Sequence, residues 1–177
     1  MITLNLGCGP DKIPGMINVD NEALFKPDKE VNLERFPWPW KTETIDGIIA
    51  SHILEHMPEW QKFIKECVRI LKPGGALMIA VPHYHDIVSM TEIGHLHVFT
   101  PQTFKNLAEG IPNYWWSGRE HLQPPVKYLP LRLEKYEEVA LGQKWWMPRF
   151  VLRWLLAHTL GWGQEQRFYF IKIGDRK

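Results

Sequence analysis

Two glycines and one aspartate near the start of the chain have the types and spacing of a nucleoside-binding site. The apolar run Leu4–Leu6 ends at Gly7-Cys8-Gly9, and a second short apolar run ends at Asp20. Glycine allows positive φ and close approach of the backbone to a ligand, and a carboxylate can accept hydrogen bonds from both ribose hydroxyls. We therefore expect a nucleoside-containing cofactor on residues 7–9, with its ribose on Asp20. The alternatives are a plain tight turn at the glycines and a turn or helix cap at Asp20.

The connection that follows the glycines disfavours a dinucleotide as the ligand. Dinucleotide sites need a third glycine that opens a helix, whose N-terminus holds the pyrophosphate, and an acid about 20 residues further on. Here Pro10, Pro14 and Gly15 prevent a full helix, and Asp20 comes much sooner. The sequence predicts a ligand without a pyrophosphate and a first crossover helix that is missing or cut to one turn.

Four histidines in the middle of the chain could supply a base. His83, His85, His95 and His97 lie in one predicted loop. Because imidazole exchanges protons near neutral pH, it is the natural base for deprotonating a hydroxyl or amine. We favour His83, which follows a strand directly, and His95 as general-base candidates. A surface or packing role is the alternative for each.

The elements that must position these residues alternate between strands and connections. This alternation implies an α/β fold with a mostly parallel sheet, in which ligands bind at the carboxyl ends of the strands. Strands are predicted at residues 4–6, 17–20, 31–33, 45–51, 76–81 and 167–173, with a sixth within 128–141 before the last. Helices are predicted from about Pro58 to Leu71 and from Pro101, with Thr100 as its cap.

Composition limits the classes of protein to which the chain can belong. It has 177 residues, 45% hydrophobic and 23% charged, and a net charge of +1. These values predict one globular domain, residues 1–177, with no bulk attraction to nucleic acid. Two cysteines are too few for a disulfide framework. We recognise no signal peptide and no apolar stretch of membrane-spanning length, so we expect a cytoplasmic protein.

The order of landmarks resembles a class I S-adenosylmethionine-dependent methyltransferase of the small type 11 or type 12 group. The resemblance covers about residues 3–82 and has a shortened first crossover. Five pieces carry it: Leu4 to Gly9, Asp20, the Phe36-Pro37-Trp38 turn with Asp46 after it, Ser51 to His56, and Arg69 to Gly75. It implies a Rossmann-like, doubly wound sheet with an antiparallel C-terminal strand and helices on both faces.

The resemblance also implies roles for individual residues. S-adenosylmethionine or S-adenosylhomocysteine would be the ligand, with Gly7, Cys8 and Gly9 near its methionine and ribose and Asp20 on the ribose hydroxyls. Asn32 and Leu33 fall where the family contacts adenine, although Asn32 replaces a frequent acid. Ser51 and His52 would line the methyl-transfer site. Residues 1–82 would form the cofactor half and 83–177 the substrate half.

Metal binding and other activities are the competing hypotheses. The pairs His83/His85 and His95/His97 could converge on zinc or iron. His52, Glu55 and His56 share a helical face, but the family comparison favours packing there, and we assign no metal ligands. The acceptor is expected to be a small molecule or a glycan hydroxyl. No nucleic-acid substrate is expected, because the pattern of amino-methylating DNA enzymes is absent and no basic stripe is evident. The alternative is a degenerate cofactor-binding module that acts through a tryptophan-rich surface.

That tryptophan-rich surface would come from residues 145–162. Trp146, Phe150, Trp154 and Leu155 share one face of a predicted helix there. A helix covering the sheet, a lid that stacks on sugar rings, and an interfacial membrane helix are the three interpretations.

Overall fold

The computed structural model describes residues 1–86, 90–109, 129–140 and 164–174. Seven strands form one sheet in the order β3-β2-β1-β4-β5-β7-β6. The strands are β1 (Thr3–Leu6), β2 (Ile17–Asp20), β3 (Lys29–Glu30), β4 (Ile45–Ser51), β5 (Leu71–Pro82), β6 (Leu131–Ala140) and β7 (Gln164–Lys172). The α-helices are α1 (Trp60–Ile70) and α2 (Pro101–Glu109), and 3-10 turns span Ala23–Phe25 and Leu54–His56.

The sheet confirms the predicted Rossmann-like class. Strands β1 to β5 pair in parallel, and β7 runs antiparallel between β5 and β6. The chain reverses its direction of progress across the sheet between β1 and β4, the switch point beside which ligands bind in such sheets. This places the ends of β1, β2, β4 and β5 along one edge.

The first crossover has no helix among residues 7–16, as the prolines predict. Asn5 and Asn18 organise this connection instead. The Asn5 amide donates to Asn18 Oδ1 (3.0 Å) and to the Asp11 carbonyl (3.1 Å), while Asn18 Oδ1 also accepts from the Ile13 N–H (2.8 Å). Buried side-chain amides thus satisfy backbone groups that a helix would satisfy by itself.

The third and fifth strands depart most from their predicted boundaries. The third strand was expected at residues 31–33 but is Lys29–Glu30. The pairing with β2 ends at the hydrogen bond from the Val31 N–H to the Asp20 carbonyl (2.9 Å), because the chain then turns. The fifth strand begins at Leu71, five residues early. An irregularity between Ile45 and Gly47 lets the Lys72-to-Gly75 segment stay on the sheet. A side chain at Gly75 would approach the Lys72 carbonyl to 2.9 Å, so this path needs glycine.

The core lies where α1 packs on the sheet. Phe63, Ile64 and Cys67 of α1 are fully buried, as the predicted apolar stripe requires. The aromatic turn at residues 36–40 contains a cis Phe36–Pro37 bond, and it packs on α1 through Trp38, whose ring lies 5.0 Å from that of Phe63. None of the helices in the described ranges is long and apolar enough to span a bilayer. The predicted helix at 145–162 lies outside the described residues.

Candidate active site

The end of β2 is tied directly to the glycine turn after β1. Asp20 Oδ2 accepts a hydrogen bond from the Gly9 N–H (2.8 Å), and Asp20 Oδ1 accepts one from the Glu22 N–H (2.9 Å). Each carboxylate oxygen keeps a further lone pair. Asp20 is therefore held in one orientation, with the capacity to accept two more hydrogen bonds.

The two glycines of the turn have different physical reasons to be glycine. Both have positive φ, +65° at Gly7 and +48° at Gly9. A Cβ at Gly7 would lie 2.3 Å from Ile53 Cδ1, so packing against the segment after β4 already requires glycine there. A Cβ at Gly9 would meet nothing within 4 Å. A bound ribose needs open space beside a backbone that is held against a carboxylate. Of the two glycines in this turn, only Gly9 offers such space.

Cys8 belongs to this turn, and Asn32 and Leu33 follow the Val31 N–H that binds the Asp20 carbonyl. Cys8 is 4% exposed, and burial raises the pKa of its thiol, which therefore stays neutral. The Asn32 Oδ1 accepts from the Glu34 N–H (2.9 Å), and the buried Leu33 accepts from the Trp38 indole through its carbonyl (3.2 Å). Adenine contacts by these two residues stay a prediction, and the second lone pair of Asn32 Oδ1 is available for one.

His52 is fixed between two buried carboxylates at the end of β4. Its Nε2 lies 2.9 Å from Glu165 Oε2, and its Nδ1 lies 3.3 Å from Glu55 Oε1. The hydrogen bond to Glu165 and the ion pair with Glu55 raise the pKa of His52 to about 9. His52, which follows Ser51 at this edge, is thus an imidazolium at neutral pH and cannot accept a proton.

Glu165 and Arg167 were missed by sequence reasoning. Glu165 is 3% exposed, and Arg167 binds its Oε1 from the same strand. Hydrogen bonds from His52 and Arg167 outweigh burial and lower the pKa of Glu165. The sequence around Glu165 does not indicate that this carboxylate contacts His52, which lies more than 100 residues earlier in the chain.

Replacing His52 with asparagine is expected to destabilise the fold by about 2 kcal/mol, because it leaves two buried carboxylates poorly compensated. Asparagine tolerates the φ of +51° at this position, so backbone strain is not the cause. The free energy of unfolding in urea measures the effect. The control is Lys62→Gln, which breaks an exposed ion pair with Glu59 and should cost under about 0.5 kcal/mol. Equal losses in the two variants would contradict the buried-pair interpretation.

His83 directly follows β5 and is buried. It is 6% exposed, and its ring stacks on that of Tyr84 (4.5 Å). Burial lowers its pKa below the ordinary histidine value, so His83 is neutral at physiological pH. Its Nδ1 accepts a long hydrogen bond from the His85 N–H (3.2 Å). Strand β5, which His83 follows, lies two strand positions from β1 in the sheet, or about 10 Å.

His95 lies instead against the turn after β4. Its ring makes an edge contact with that of His56 (4.8 Å), and its Nε2 lies 3.3 Å from Glu92 Oε2. The two general-base candidates therefore occupy different surroundings. His83 extends the sheet edge, whereas His95 packs on the segment that follows His52.

Residues 4–79 match the family model described as "Methyltransferase domain". The match covers less than half of the chain and runs from β1 through most of β5. The chain is also 31% identical over 52 residues to a "probable S-adenosylmethionine-dependent methyltransferase" of Mycolicibacterium smegmatis, covering 29% of this chain and 20% of that protein. The human mitochondrial ubiquinone biosynthesis O-methyltransferase is 43% identical over 37 residues, 21% of this chain and 10% of its own.

Solved structures of methyltransferases share the fold of this chain. A S-adenosylmethionine-dependent methyltransferase from Archaeoglobus fulgidus superposes with a TM-score of 0.59, covering 96% of this chain and 85% of that one at 17% identity. Such low identity shows the fold alone. The matched segments span a fifth or less of the two curated relatives.

S-adenosylmethionine, the cofactor that the likeness to methyltransferases implies, would fit the residues of this turn. The space beside Gly9 and the two remaining lone pairs of Asp20 suit a ribose diol. The turn at residues 7–16 presents no helix N-terminus, which agrees with a cofactor that has no pyrophosphate to hold. Asp20 and Gly9 would hold the nucleoside, and the cofactor would supply an electrophilic methyl group.

Proposed function

We propose that this domain transfers a methyl group from S-adenosylmethionine to a hydroxyl of a small molecule or glycan. The observation that carries the proposal is the Gly9–Asp20 hydrogen bond beside open space, at the switch point of the sheet. The likeness to a protein named as an O-methyltransferase supports a hydroxyl as the acceptor. Residues 1–82 would bind the cofactor and 83–177 the acceptor, as one unit whose last strands complete the sheet.

Calorimetric titration of the purified protein with S-adenosylmethionine and S-adenosylhomocysteine tests the first half of this proposal. A folded protein that binds neither would refute it. The second half is tested by release of S-adenosylhomocysteine across a panel of hydroxylated small molecules and glycans. Tight binding without turnover on any acceptor would favour the cofactor-binding module over the enzyme. Both cysteines are free thiols, which supports the cytoplasm as the proposed compartment.

His83 is the proposed general base. A hydroxyl must lose its proton as it attacks, and the neutral ring of His83 can take it at physiological pH. The acceptor hydroxyl would replace the His85 N–H as the partner of Nδ1, at the cost of one long hydrogen bond. His52 has a different role. Its positive charge would orient the acceptor, and its protonated ring has no free lone pair with which to take a proton.

The pH dependence and one substitution test this assignment. Because burial lowers the pKa of His83, kcat/KM should be flat near pH 7 and fall only below about pH 6.5. His83→Gln should lower kcat by about 100-fold or more with little change in cofactor affinity, and the acid limb should disappear. His85→Gln, at an exposed neighbour, is the control. Equal losses of kcat in both variants, or an acid limb that persists in His83→Gln, would show that another group is the general base.

A further inference from the structure

A second cluster of ionisable side chains lies beside the cofactor edge and has no part in the proposed reaction. Glu55 and His56 belong to the 3-10 turn after β4, and His95 comes from the histidine-rich segment 39 residues later. One ligand atom from each lies within 4.8 Å of the other two. Among the residues that the structure describes, these three form the only group of three or more metal-ligating side chains that lie together.

The carboxylate of Glu55 is the least satisfied group in the cluster. Glu55 is 1% exposed, and neither of its oxygens has a hydrogen-bond partner among the described residues. Oε1 faces the His52 cation at 3.3 Å, in an ion pair without hydrogen-bond geometry. Burying a carboxylate oxygen without a partner is costly, so a second cation at Oε2 would relieve that cost.

His56 is oriented as a ligand rather than as a surface histidine. Its Nδ1 lies 2.9 Å from the Gly94 carbonyl, which can only accept, so the ring proton is on Nδ1 and the lone pair is on Nε2. A backbone carbonyl or carboxylate on the other ring nitrogen is the usual second contact of a metal-bound histidine. A Cβ at Gly94 would lie 3.3 Å from this Nδ1, so glycine allows the close approach.

His95 is brought to the same place by the backbone. The Leu96 N–H donates to the Glu55 carbonyl (2.8 Å), and together with the His56 bond this fastens residues 94–96 to the turn. As in His56, one ring nitrogen of His95 faces an oxygen atom, since its Nε2 lies 3.3 Å from Glu92 Oε2. The side chain of His95 is 8% exposed, so the cluster is shielded from water on this side.

We propose that Glu55, His56 and His95 bind a divalent transition-metal ion of the Zn²⁺ class. Two imidazoles and a carboxylate suit zinc, which lies about 2.0–2.2 Å from such ligands, and this requires ligand atoms about 3.3 Å apart. The ligand atoms, now within 4.8 Å of one another, would have to approach to that separation when the ion binds. The ion would neutralise Glu55 Oε2 and fasten the histidine-rich segment to the end of β4.

This site differs from the metal hypothesis that the sequence raised. That hypothesis paired His83/His85 with His95/His97, whereas the structure joins one histidine of the second pair to Glu55 and His56. The expectation of no metal ligands rested on treating His52, Glu55 and His56 as a packing group. It could not include His95, because nothing in the spacing places residue 95 beside residue 55.

Zinc binding to the full chain tests the proposal without any substrate. Protein stripped with a chelator and dialysed against Zn²⁺ should hold one ion per chain by elemental analysis, and Co²⁺ should give visible bands of a protein-bound ion. His95→Gln and His56→Asn should each weaken Zn²⁺ binding about 100-fold. Asparagine keeps an N–H for the Gly94 carbonyl and removes the Nε2 ligand, so folding is preserved. His85→Gln should bind as the wild type does.

Thermal unfolding gives an independent reading. Zn²⁺ should raise the Tm of the wild type and of His85→Gln, and should not raise that of His95→Gln. Substoichiometric zinc in the wild type, or equal binding by wild type and His95→Gln, would overturn the proposal. Because no cofactor is present, this failure is separable from failure of the proposed methyl transfer, which the S-adenosylmethionine titration reports.

Discussion

Replacing Asp20 with alanine is expected to weaken S-adenosylmethionine binding about 100-fold. The substitution removes the carboxylate that would accept two ribose hydroxyl protons, and hydrogen bonds to a charged group contribute about 1.5–3 kcal/mol each. It also removes the acceptor that holds the Gly9 N–H at 2.8 Å, so the turn loses its orientation. Calorimetry with the cofactor and with S-adenosylhomocysteine should show the same loss, because both contain the ribose.

Two controls separate recognition from folding in this experiment. Asp20→Asn keeps the size of the side chain and one acceptor oxygen, and should lose less affinity than alanine. Glu22→Ala removes an exposed acid two residues away while keeping the backbone N–H that binds Asp20, and should bind as the wild type does. If Asp20→Ala binds the cofactor normally, the ribose is held elsewhere and the assignment of this turn is wrong.

Gly7→Ala is expected to destabilise the domain by about 3 kcal/mol, a large share of the stability of an ordinary domain. The new Cβ would lie 2.3 Å from Ile53 Cδ1 and 3.0 Å from Ile53 Cβ, in a segment of the core with no room to move. Overpacking of this kind costs about 1–3 kcal/mol, and alanine at φ +65° adds about 1 kcal/mol. Urea unfolding measures the loss.

Gly9→Ala is the matched comparison, since it has positive φ but no clash. We expect it to cost about 1 kcal/mol of stability, from the backbone alone, and to weaken cofactor binding much more than stability. Adding Ile53→Val to Gly7→Ala removes the closest clashing atom. The double variant should therefore recover at least about 1 kcal/mol relative to the sum of the single changes. Additive losses would show that Ile53 is not the reason for glycine at residue 7.

Local sequence features predicted the elements of the sheet well. The buried run Ile45–Ser51 and the stripe through Phe63, Ile64 and Cys67 lie where expected, because one amphipathic or apolar period decides each of them. The prolines of the first connection similarly excluded a helix. Thr100 and Pro101 marked the start of α2, since the cap and the first helical position have strong residue preferences. The misplaced third strand depended on pairing with Asp20, which is not a local property.

The sequence alone predicted the fold class and the helix-free turn between Gly7 and Asp20, since these depend on short segments whose residue types have direct backbone consequences. The tertiary structure decided which glycine faces open space, because the neighbour of Gly7 is Ile53, 46 positions later. It also decided that His52 is a cation, since its pKa depends on Glu165, which is remote in the chain and adjacent in space. The grouping of His95 with Glu55 and His56 has the same origin. Charge and ligation depend on contacts across the sheet edge, and chain spacing does not encode them.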